Sequence, residues 1–248
     1  MVGTPWDANT YDRTSEPQQS WASEVLARLA GIAANATVLD IGCGTGRVTE
    51  ALLALVPEGR VLAIDASTDM VALARERLGE RAQVWCQSVL DLDLDEPVDA
   101  IVSTATLHWV SDHDLLFSRL AQALRPGGVL EIQCGGEGNI NRVRDAIQAA
   151  ARELAPELLD WSPWIFAGPR ETERRLGEAG FSNVRCWLEE RPTYPDDVDA
   201  FVRTSILAAH FERLPEERRE RFAAAVLAGV RLPLDYVRLN ASALRAPA

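Results

Sequence analysis

Val38-Leu-Asp-Ile-Gly-Cys-Gly-Thr-Gly46 is the stretch that decides the fold, because an apolar run passes through an acidic residue into a glycine-rich turn. A helical pattern begins immediately afterwards, at Arg47. This order of strand, turn and helix is how α/β folds form a nucleotide site at the carboxyl end of the first strand. Glycine has no Cβ, so Gly42, Gly44 and Gly46 allow positive φ and a close approach of the backbone to a ligand.

A second apolar run, Val61-Leu-Ala-Ile-Asp65, also ends in a carboxylate. An acid at the end of the second strand can accept two hydrogen bonds from a ribose diol. The spacing differs from the dinucleotide fingerprint, since Gly46 comes one position early for Gly-x-Gly-x-x-Gly. The shorter turn leaves less room for a pyrophosphate, and this disfavours a nicotinamide dinucleotide.

Strand and helix patterns alternate along the chain, which predicts a parallel sheet with helices on both faces. Strands are predicted near 37–41, 60–64, 82–86, 98–103, 128–134, 181–190 and 232–240. Helices are predicted near 19–30, 47–55, 69–78, 112–124, 139–159, 169–179, 196–210 and 215–229. Right-handed crossovers place the carboxyl ends of the parallel strands on one rim, where we expect the active site. The length of 248 residues suits a single domain, 1–248.

The overall charge argues against a nucleic-acid partner. The chain carries 37 acidic and 25 basic residues, a net charge of -12, and all the basic residues are arginine. Nucleic-acid binding normally demands a basic face that neutralises phosphates. No Cys-x-x-Cys pair indicates zinc, so we expect no metal and free buried thiols. Neither a membrane span nor a secretory signal is readable, and we expect a cytoplasmic protein.

The motifs resemble those of the class I S-adenosylmethionine-dependent methyltransferases. Asp40-Ile-Gly-Cys-Gly-Thr-Gly46 with Asp65 resembles their first two motifs, and Ser103-Thr-Ala-Thr-Leu-His-Trp109 and Leu124-Arg-Pro-Gly-Gly128 resemble the later ones. Trp6-Asp-Ala-x-x-Tyr11 and Gly135-Gly-Glu-Gly-Asn-Ile140 narrow the resemblance to the trans-aconitate methyltransferase-like subgroup.

The resemblance implies a Rossmann-like α/β fold with a seven-stranded, mostly parallel sheet, an antiparallel last strand and a helical cap. It divides the chain into an N-terminal arm and helix, a cofactor-binding core, two cap segments and two edge strands. Their limits are 1–30 for the arm and helix, 31–135 for the core, 136–180 and 193–230 for the cap, and 181–192 and 231–241 for the strands.

The implied cofactor is S-adenosyl-L-methionine. The residues expected to bind it are Asp40, Gly42, Cys43, Gly44, Gly46, Asp65, Ala66, Met70, Ser88, Val89 and Thr104. Asp65 is expected to hold the ribose and Met70 to pack on adenine. The chain departs from its relatives at Ser88, since relatives often place an aspartate there that contacts the adenine amino group. Either Ser88 or the Val89 backbone substitutes for that contact, or the contact is lost.

On the acceptor side, His108 is the candidate general base, because a histidine with a pKa near neutrality suits a hydroxyl or amine nucleophile. It is equally compatible with a residue that only shapes the pocket. Trp109, beside His108 at the same rim, is expected to contact the acceptor. Aromatic residues in covering segments could close over an acceptor, or pack the cap: Trp6, Tyr11, Trp161, Trp164 and Phe166. Arginines that could pair with an acceptor carboxylate are Arg142, Arg144, Arg170 and Arg238. His113 and His210 are interpreted as surface or packing residues.

The chemistry of methyl transfer requires alignment more than acid–base groups, since the donor carries its own activation. We therefore predict a methyltransferase acting on an oxygen, carboxylate or hydroxyl, of a small organic acceptor. Two alternatives remain open: a methyltransferase-like protein that binds the cofactor but acts as a scaffold or cyclase, and a Rossmann oxidoreductase. The sequence does not indicate an oligomeric state.

Overall fold

The computed structural model describes residues 16–247, with the side chains of residues 21–247. Trp6 and Tyr11 lie outside the described residues. Seven strands form one sheet in the order β3-β2-β1-β4-β5-β7-β6. The strands are β1 Thr37–Ile41, β2 Arg60–Asp65, β3 Gln83–Cys86, β4 Val98–Thr104, β5 Leu124–Gly135, β6 Phe181–Thr193 and β7 Leu234–Arg245. Strand β7 runs antiparallel to both of its neighbours, and the remaining pairs are parallel.

Helices connect and cover these strands. They are α1 Glu16–Arg28, α2 Arg47–Leu55, α3 Thr68–Leu78, α4 His113–Ala123, α5 Asn141–Leu154, α6 Pro169–Glu178, α7 Val198–Phe201, α8 Ala208–Glu212 and α9 Glu216–Gly229. Short 3₁₀ turns at Val89–Asp91 and Leu107–Trp109 follow β3 and β4. The predicted seven-stranded Rossmann-like fold is confirmed.

Alternation along the strands builds the two faces of the sheet. Leu39 and Ile41 of β1 face one way, into a core shared with α4 and α6. Val38 faces the other way, into a core shared with α1, α2 and α3. The sheet is therefore buried on both faces, as the near-continuous apolar strand sequences require.

A third apolar core lies under the cap. It joins α5, α7 and α9 to the start of β7 and to Trp21 of α1. Phe201 and Phe222 are its largest fully buried side chains. Helix α6 falls inside the segment predicted as cap, yet Leu176 belongs to the core of the sheet, together with Phe181 of β6.

The helix predicted over 196–210 is interrupted. A π-helical turn, Val202–Ile206, separates α7 from α8, and the Leu207 N–H donates to the Val202 carbonyl at 2.9 Å. The expectation of buried thiols is confirmed for Cys43 and Cys134, but it is wrong for Cys86, which is exposed at the end of its strand, and for Cys186, which is half-buried; all four thiols are free. No helix in residues 16–247 is long and apolar enough to cross a bilayer.

The topology fixes where a ligand can bind. Strand order reverses between β1 and β4, and the chain leaves these two neighbours toward opposite sides of the sheet. In open α/β sheets, ligands bind in the crevice at such a switch point, beyond the carboxyl ends of the strands. Gly42, Asp65 and Ala105 follow or end β1, β2 and β4 at this rim.

Candidate active site

The three glycines of the turn after β1 have different surroundings. Gly42 has φ 72°, and a Cβ there would lie 2.2 Å from both Cγ2 and Oγ1 of Thr106. A Cβ on Gly46 would meet Leu78 Cδ1 at 3.0 Å, so this glycine brings α2 against α3. Gly44, at φ 54°, has no atom within 4 Å of the position of a Cβ. Gly44 is thus the glycine whose missing side chain leaves open space.

Asp65 ties this turn to the second strand. Its Oδ2 accepts the Gly44 N–H at 2.9 Å, and its Oδ1 accepts the Ser67 N–H at 2.8 Å. Burial raises the pKa of the Asp65 carboxyl, while the backbone donors of Ser67 and Gly44 oppose the rise. Each carboxylate oxygen has a second lone pair, so Asp65 can still accept hydroxyl groups of a ligand.

A cleft of about 610 Å³ opens beside Gly44 and Asp65. This volume is in the range of pockets that bind cofactors and small molecules. The predicted cofactor residues that line it are Gly42, Gly44, Asp65, Ala66, Met70, Ser88, Val89 and Thr104. Asp40, Cys43 and Gly46 do not line it. Ser88 Oγ also accepts the Leu90 N–H at 3.2 Å, which caps the 3₁₀ turn.

Asp40 lies behind the glycine turn and is 1% exposed. Thr49 Oγ1 donates to its Oδ2 at 2.6 Å. Its Oδ1 is buried and has no hydrogen-bond partner in the part of the chain that the structure describes. Burial raises the pKa of Asp40 to about 7, the Thr49 hydrogen bond opposes this, and the Asp65 charge adds to it.

Replacing Asp40 with asparagine tests this ionisation. The folded-state pKa of Asp40 is raised from 3.8 to about 7, so the folded protein holds this proton more tightly than the unfolded chain does. The associated stability is therefore present below pH 4 and is lost as the pH rises through about 7. The asparagine side chain cannot ionise, so we expect the D40N variant to be more stable than wild type at pH 8 by about 2 kcal/mol, allowing for relaxation around the charge.

Urea unfolding of the ligand-free protein at pH 5 and pH 8 measures this difference. The advantage of the variant should be clearly larger at pH 8 than at pH 5. An advantage that is the same at both values would show that Asp40 does not titrate between them.

His108 lies in the 3₁₀ turn after β4, is 7% exposed, and does not line the main cleft. Its Nδ1 faces the Gly135 N–H at 3.2 Å and must accept, because a backbone N–H can only donate. Burial lowers the pKa of His108 well below its usual range, and the charges of Arg238 and His113 lower it further. The ring is therefore neutral at pH 7, with its proton on Nε2. In this state His108 is a hydrogen-bond donor, which does not fit the predicted role of general base.

A smaller cavity of about 40 Å³ adjoins the cleft, since Ala105 and Trp109 line both spaces. Trp161 lines the main cleft, whereas Trp164 lines the small cavity. The other residues around the small cavity are His108, Asn139, Ile140, Phe166, Ser205, Ile206, Tyr236 and Arg238. The structure thus brings the predicted aromatic residues 109, 161 and 164 together around two adjoining spaces.

The four candidate arginines differ in their exposure and in the groups that they contact. Arg238 is 2% exposed and lines the small cavity. Arg142 has a side chain that is 51% exposed and pairs with Asp235, and Arg170 is exposed. Arg144 lies over the ring of Phe166, 5.7 Å from its centroid. His113 and His210 are buried packing residues, consistent with one of the two interpretations from the sequence.

Glu212 and Arg213 of the cap line the main cleft, and Ser205 lines the small cavity, although none of the three was predicted as a site residue. The sequence predicted one continuous helix over 196–210 and no element over 211–214, whereas the structure places Ser205 in the π-helical turn, Glu212 at the end of α8 and Arg213 just after it. Such turns occur frequently at functional sites. Nothing in the sequence pattern predicted this π-helical turn.

Comparison with known proteins agrees with this geometry. Residues 38–128 match the family model described as a methyltransferase domain. The trans-aconitate 2-methyltransferase of Methylobacterium nodulans is 33% identical over 183 residues, which cover 74% of this chain and 67% of the relative. That of Azoarcus sp. strain BH72 is 31% identical over 240 residues, covering 91% and 89%. In fold, the chain is similar to the YcgJ protein of Bacillus subtilis, with a TM-score of 0.64, 16% identity, and coverage of 92% of this chain and 100% of that one.

The chain belongs to the class I S-adenosylmethionine-dependent methyltransferases. Within that class it falls in the trans-aconitate methyltransferase-like subgroup. The residues present fit the cofactor. A Cβ at Gly44 would stand in open space beside the cleft, Asp65 offers a half-buried carboxylate on the same wall, and Met70 offers an apolar surface.

Proposed function

We propose that this enzyme transfers the methyl group of S-adenosylmethionine to a carboxylate oxygen of a small organic acid in the cytoplasm. The observation that carries the proposal is the state of His108, whose Nδ1 lone pair is occupied by Gly135. A carboxylic acid is already ionised at pH 7 and needs no general base. A site with a neutral, donating histidine suits such an acceptor better than a hydroxyl group. The names of both curated relatives, trans-aconitate 2-methyltransferases, support the same class of acceptor.

Different residues of the chain would bind the methyl donor and the acceptor. S-adenosylmethionine, when bound, supplies a methyl carbon activated by its sulfonium. Asp65 would hold the ribose hydroxyls, Gly44 would admit the cofactor close to the backbone, and Met70 would pack on adenine. Trp109 and Trp161 line the acceptor side of the cleft, where they exclude water and limit the orientations of the acceptor. The acidic surface supports a small-molecule acceptor rather than a nucleic acid.

One observation favours a second candidate, a hydroxyl acceptor. Glu212 lines the main cleft, and burial raises the pKa of its carboxyl. A carboxylate of raised pKa can accept a proton from a hydroxyl group. The effect of replacing Glu212 therefore distinguishes a hydroxyl acceptor from a carboxylate acceptor.

The chemical stability of the product decides between them. With cofactor labelled in the methyl group and a panel of organic acids, we expect labelled product that releases methanol in mild alkali, as methyl esters do and methyl ethers do not. The E212Q variant should retain kcat within about threefold, since an ionised acceptor has no proton to give up. Alkali-stable label, together with a loss of roughly 100-fold in E212Q, would establish the hydroxyl acceptor instead.

A further inference from the structure

Two acidic side chains and one basic side chain line the main cleft within the part of the chain that the structure describes. They are Asp65, Glu212 and Arg213. Arginine remains protonated in proteins, so Arg213 carries a full positive charge. The chain as a whole has a net charge of -12, which disfavours the approach of an anion. The protein cation that a carboxylate in the cleft would meet is therefore Arg213.

The side chain of Arg213 is placed by its contact with Trp161. Its Cζ lies over the indole ring, 4.5 Å from the ring centroid. Both residues line the cleft, although Trp161 belongs to the loop before α6 and Arg213 follows α8. Contact with an aromatic face holds a guanidinium without using its N–H groups as donors to oxygen. Those N–H groups form the planar fork that matches a carboxylate.

The guanidinium of Arg213 has neither a hydrogen-bond acceptor nor an ion-pair partner among the side chains of residues 21–247 or their backbone. Other arginines of the cap are paired: Arg203 with Glu220 at 2.9 Å, and Arg218 with Glu157 at 2.6 Å. The charged arginine of the cap that lines the cleft thus differs from these two in having its donors available to a ligand.

The backbone around Arg213 is held on both sides. The Arg213 N–H donates to the His210 carbonyl at 3.1 Å, and the next residue, Leu214, is 2% exposed. Arg219 Nε donates to the Leu214 carbonyl at 3.1 Å. The charge of Arg219 also opposes the rise in the pKa of Glu212, the acidic neighbour of Arg213. The segment that carries the guanidinium is therefore fixed before a ligand binds, which lowers the entropic cost of binding.

Methyl transfer to a carboxylate removes the charge that Arg213 would contact. A lone pair of the carboxylate oxygen forms the new C–O bond, the S–CH₃ bond breaks, and its electron pair remains on sulfur. An anion and a sulfonium thus become a neutral ester and a neutral thioether, and no proton is released. The negative charge of the acceptor falls in the transition state and is absent from the product. A cation beside it therefore strengthens binding of the acid more than binding of the transition state or of the ester.

We propose that Arg213 binds the carboxylate that reacts, through the N–H groups of its guanidinium, so that the enzyme binds the acid and releases its methyl ester. The inference rests on the proposed function and deepens it, because it assigns the residue that recognises the reacting group. Arg213 is then a specificity-determining residue that acts on binding of the acid rather than on the chemical step.

Kinetics of an Arg213 variant test the assignment with trans-aconitate or crotonate, whichever acid the wild-type enzyme methylates with the higher kcat/KM. In R213Q we expect KM for the acid to rise by about 20-fold, the effect of losing a hydrogen-bonded charge pair. The kcat value should stay within about threefold, because the interaction is not stronger in the transition state. R213K keeps the charge but not the planar fork, so its KM should lie between those of wild type and R213Q. R170Q, the same substitution at an exposed arginine that does not line the cleft, should keep the wild-type KM.

Titration of the same acid and of its enzymatic methyl ester into protein saturated with the demethylated cofactor gives a readout that does not depend on turnover. The sulfur of this cofactor is neutral, so the sulfonium does not contribute to the difference. Wild type and R170Q should bind the acid at least about tenfold more tightly than the ester. R213Q should bind the two within about threefold of each other.

Thermal unfolding verifies that R213Q folds. A wild-type KM and a wild-type affinity for the acid in folded R213Q would overturn the inference. Equal affinity of the wild-type protein for acid and ester would overturn it even if R213Q did not fold. The proposed function would survive either result as long as the label is released by alkali, whereas alkali-stable label would refute the proposed function itself.

Discussion

Asp65→Ala is expected to weaken binding of S-adenosylmethionine by about 100-fold or more, because two hydrogen bonds from a ribose to a half-buried carboxylate contribute on the order of 3 to 6 kcal/mol. The same carboxylate positions the binding turn through the Gly44 and Ser67 N–H groups. Its removal therefore loosens the backbone that approaches the cofactor as well as deleting the contact.

Asp69→Ala is the matched control. Asp69 lies in the first turn of α3, is exposed, and does not line the cleft. Isothermal titration with the cofactor and with its demethylated product should show wild-type affinity in D69A and a large loss in D65A. Thermal unfolding without ligand verifies that both variants fold. Wild-type affinity in D65A would remove Asp65 from the cofactor site.

The cofactor side of the site could be predicted from the sequence because it depends on local order. Asp65 ends β2 and Gly44 lies in the turn after β1, and parallel strands bring their carboxyl ends to one rim whatever the details of packing. Periodicity and turn chemistry were sufficient to predict all seven strands, whereas the antiparallel direction of the last strand came from the family resemblance.

The acceptor side depends on contacts between distant parts of the chain, so its residues and their roles were predicted less well from the sequence. His108 was the natural candidate for a base, but burial keeps its ring neutral, with a smaller contribution from the charge of Arg238, and the Gly135 N–H occupies Nδ1. Ser205 lines the small cavity from within a π-helical turn, which the periodic pattern of the sequence did not predict. Arg238 could not be separated from three other arginines until burial distinguished it.

The second large effect is expected from substitutions of Gly42 and Gly44, because these two glycines have different roles in the turn. In Gly42→Ala, the new Cβ would lie 2.2 Å from both Cγ2 and Oγ1 of Thr106, at a residue held at φ 72°. Thr106 cannot easily move, since its hydroxyl donates to the Gly42 and Thr104 carbonyls at 3.2 and 2.9 Å. Overpacking and positive φ together should lower the free energy of unfolding by about 3 kcal/mol or more.

Gly44→Ala should behave in the opposite way. Its Cβ meets no atom within 4 Å, so the stability loss is limited to the cost of positive φ, about 1 to 2 kcal/mol. The methyl group stands beside the cleft, so cofactor affinity should fall by at least about tenfold. Urea unfolding and isothermal titration of both variants measure the two effects, and equal stability losses in G42A and G44A would contradict the assignment.

A double variant isolates the clash at Gly42. Thr106→Gly removes all three side-chain atoms that a Cβ at position 42 would overlap, namely Cβ, Oγ1 and Cγ2. The stability loss of the double variant G42A/T106G should be smaller than the sum of the losses of G42A and T106G by about 1 kcal/mol or more. The reason is that the steric overlap destabilises G42A but does not exist in the double variant. Strict additivity would mean that the left-handed backbone, rather than the close approach to Thr106, requires glycine at this position.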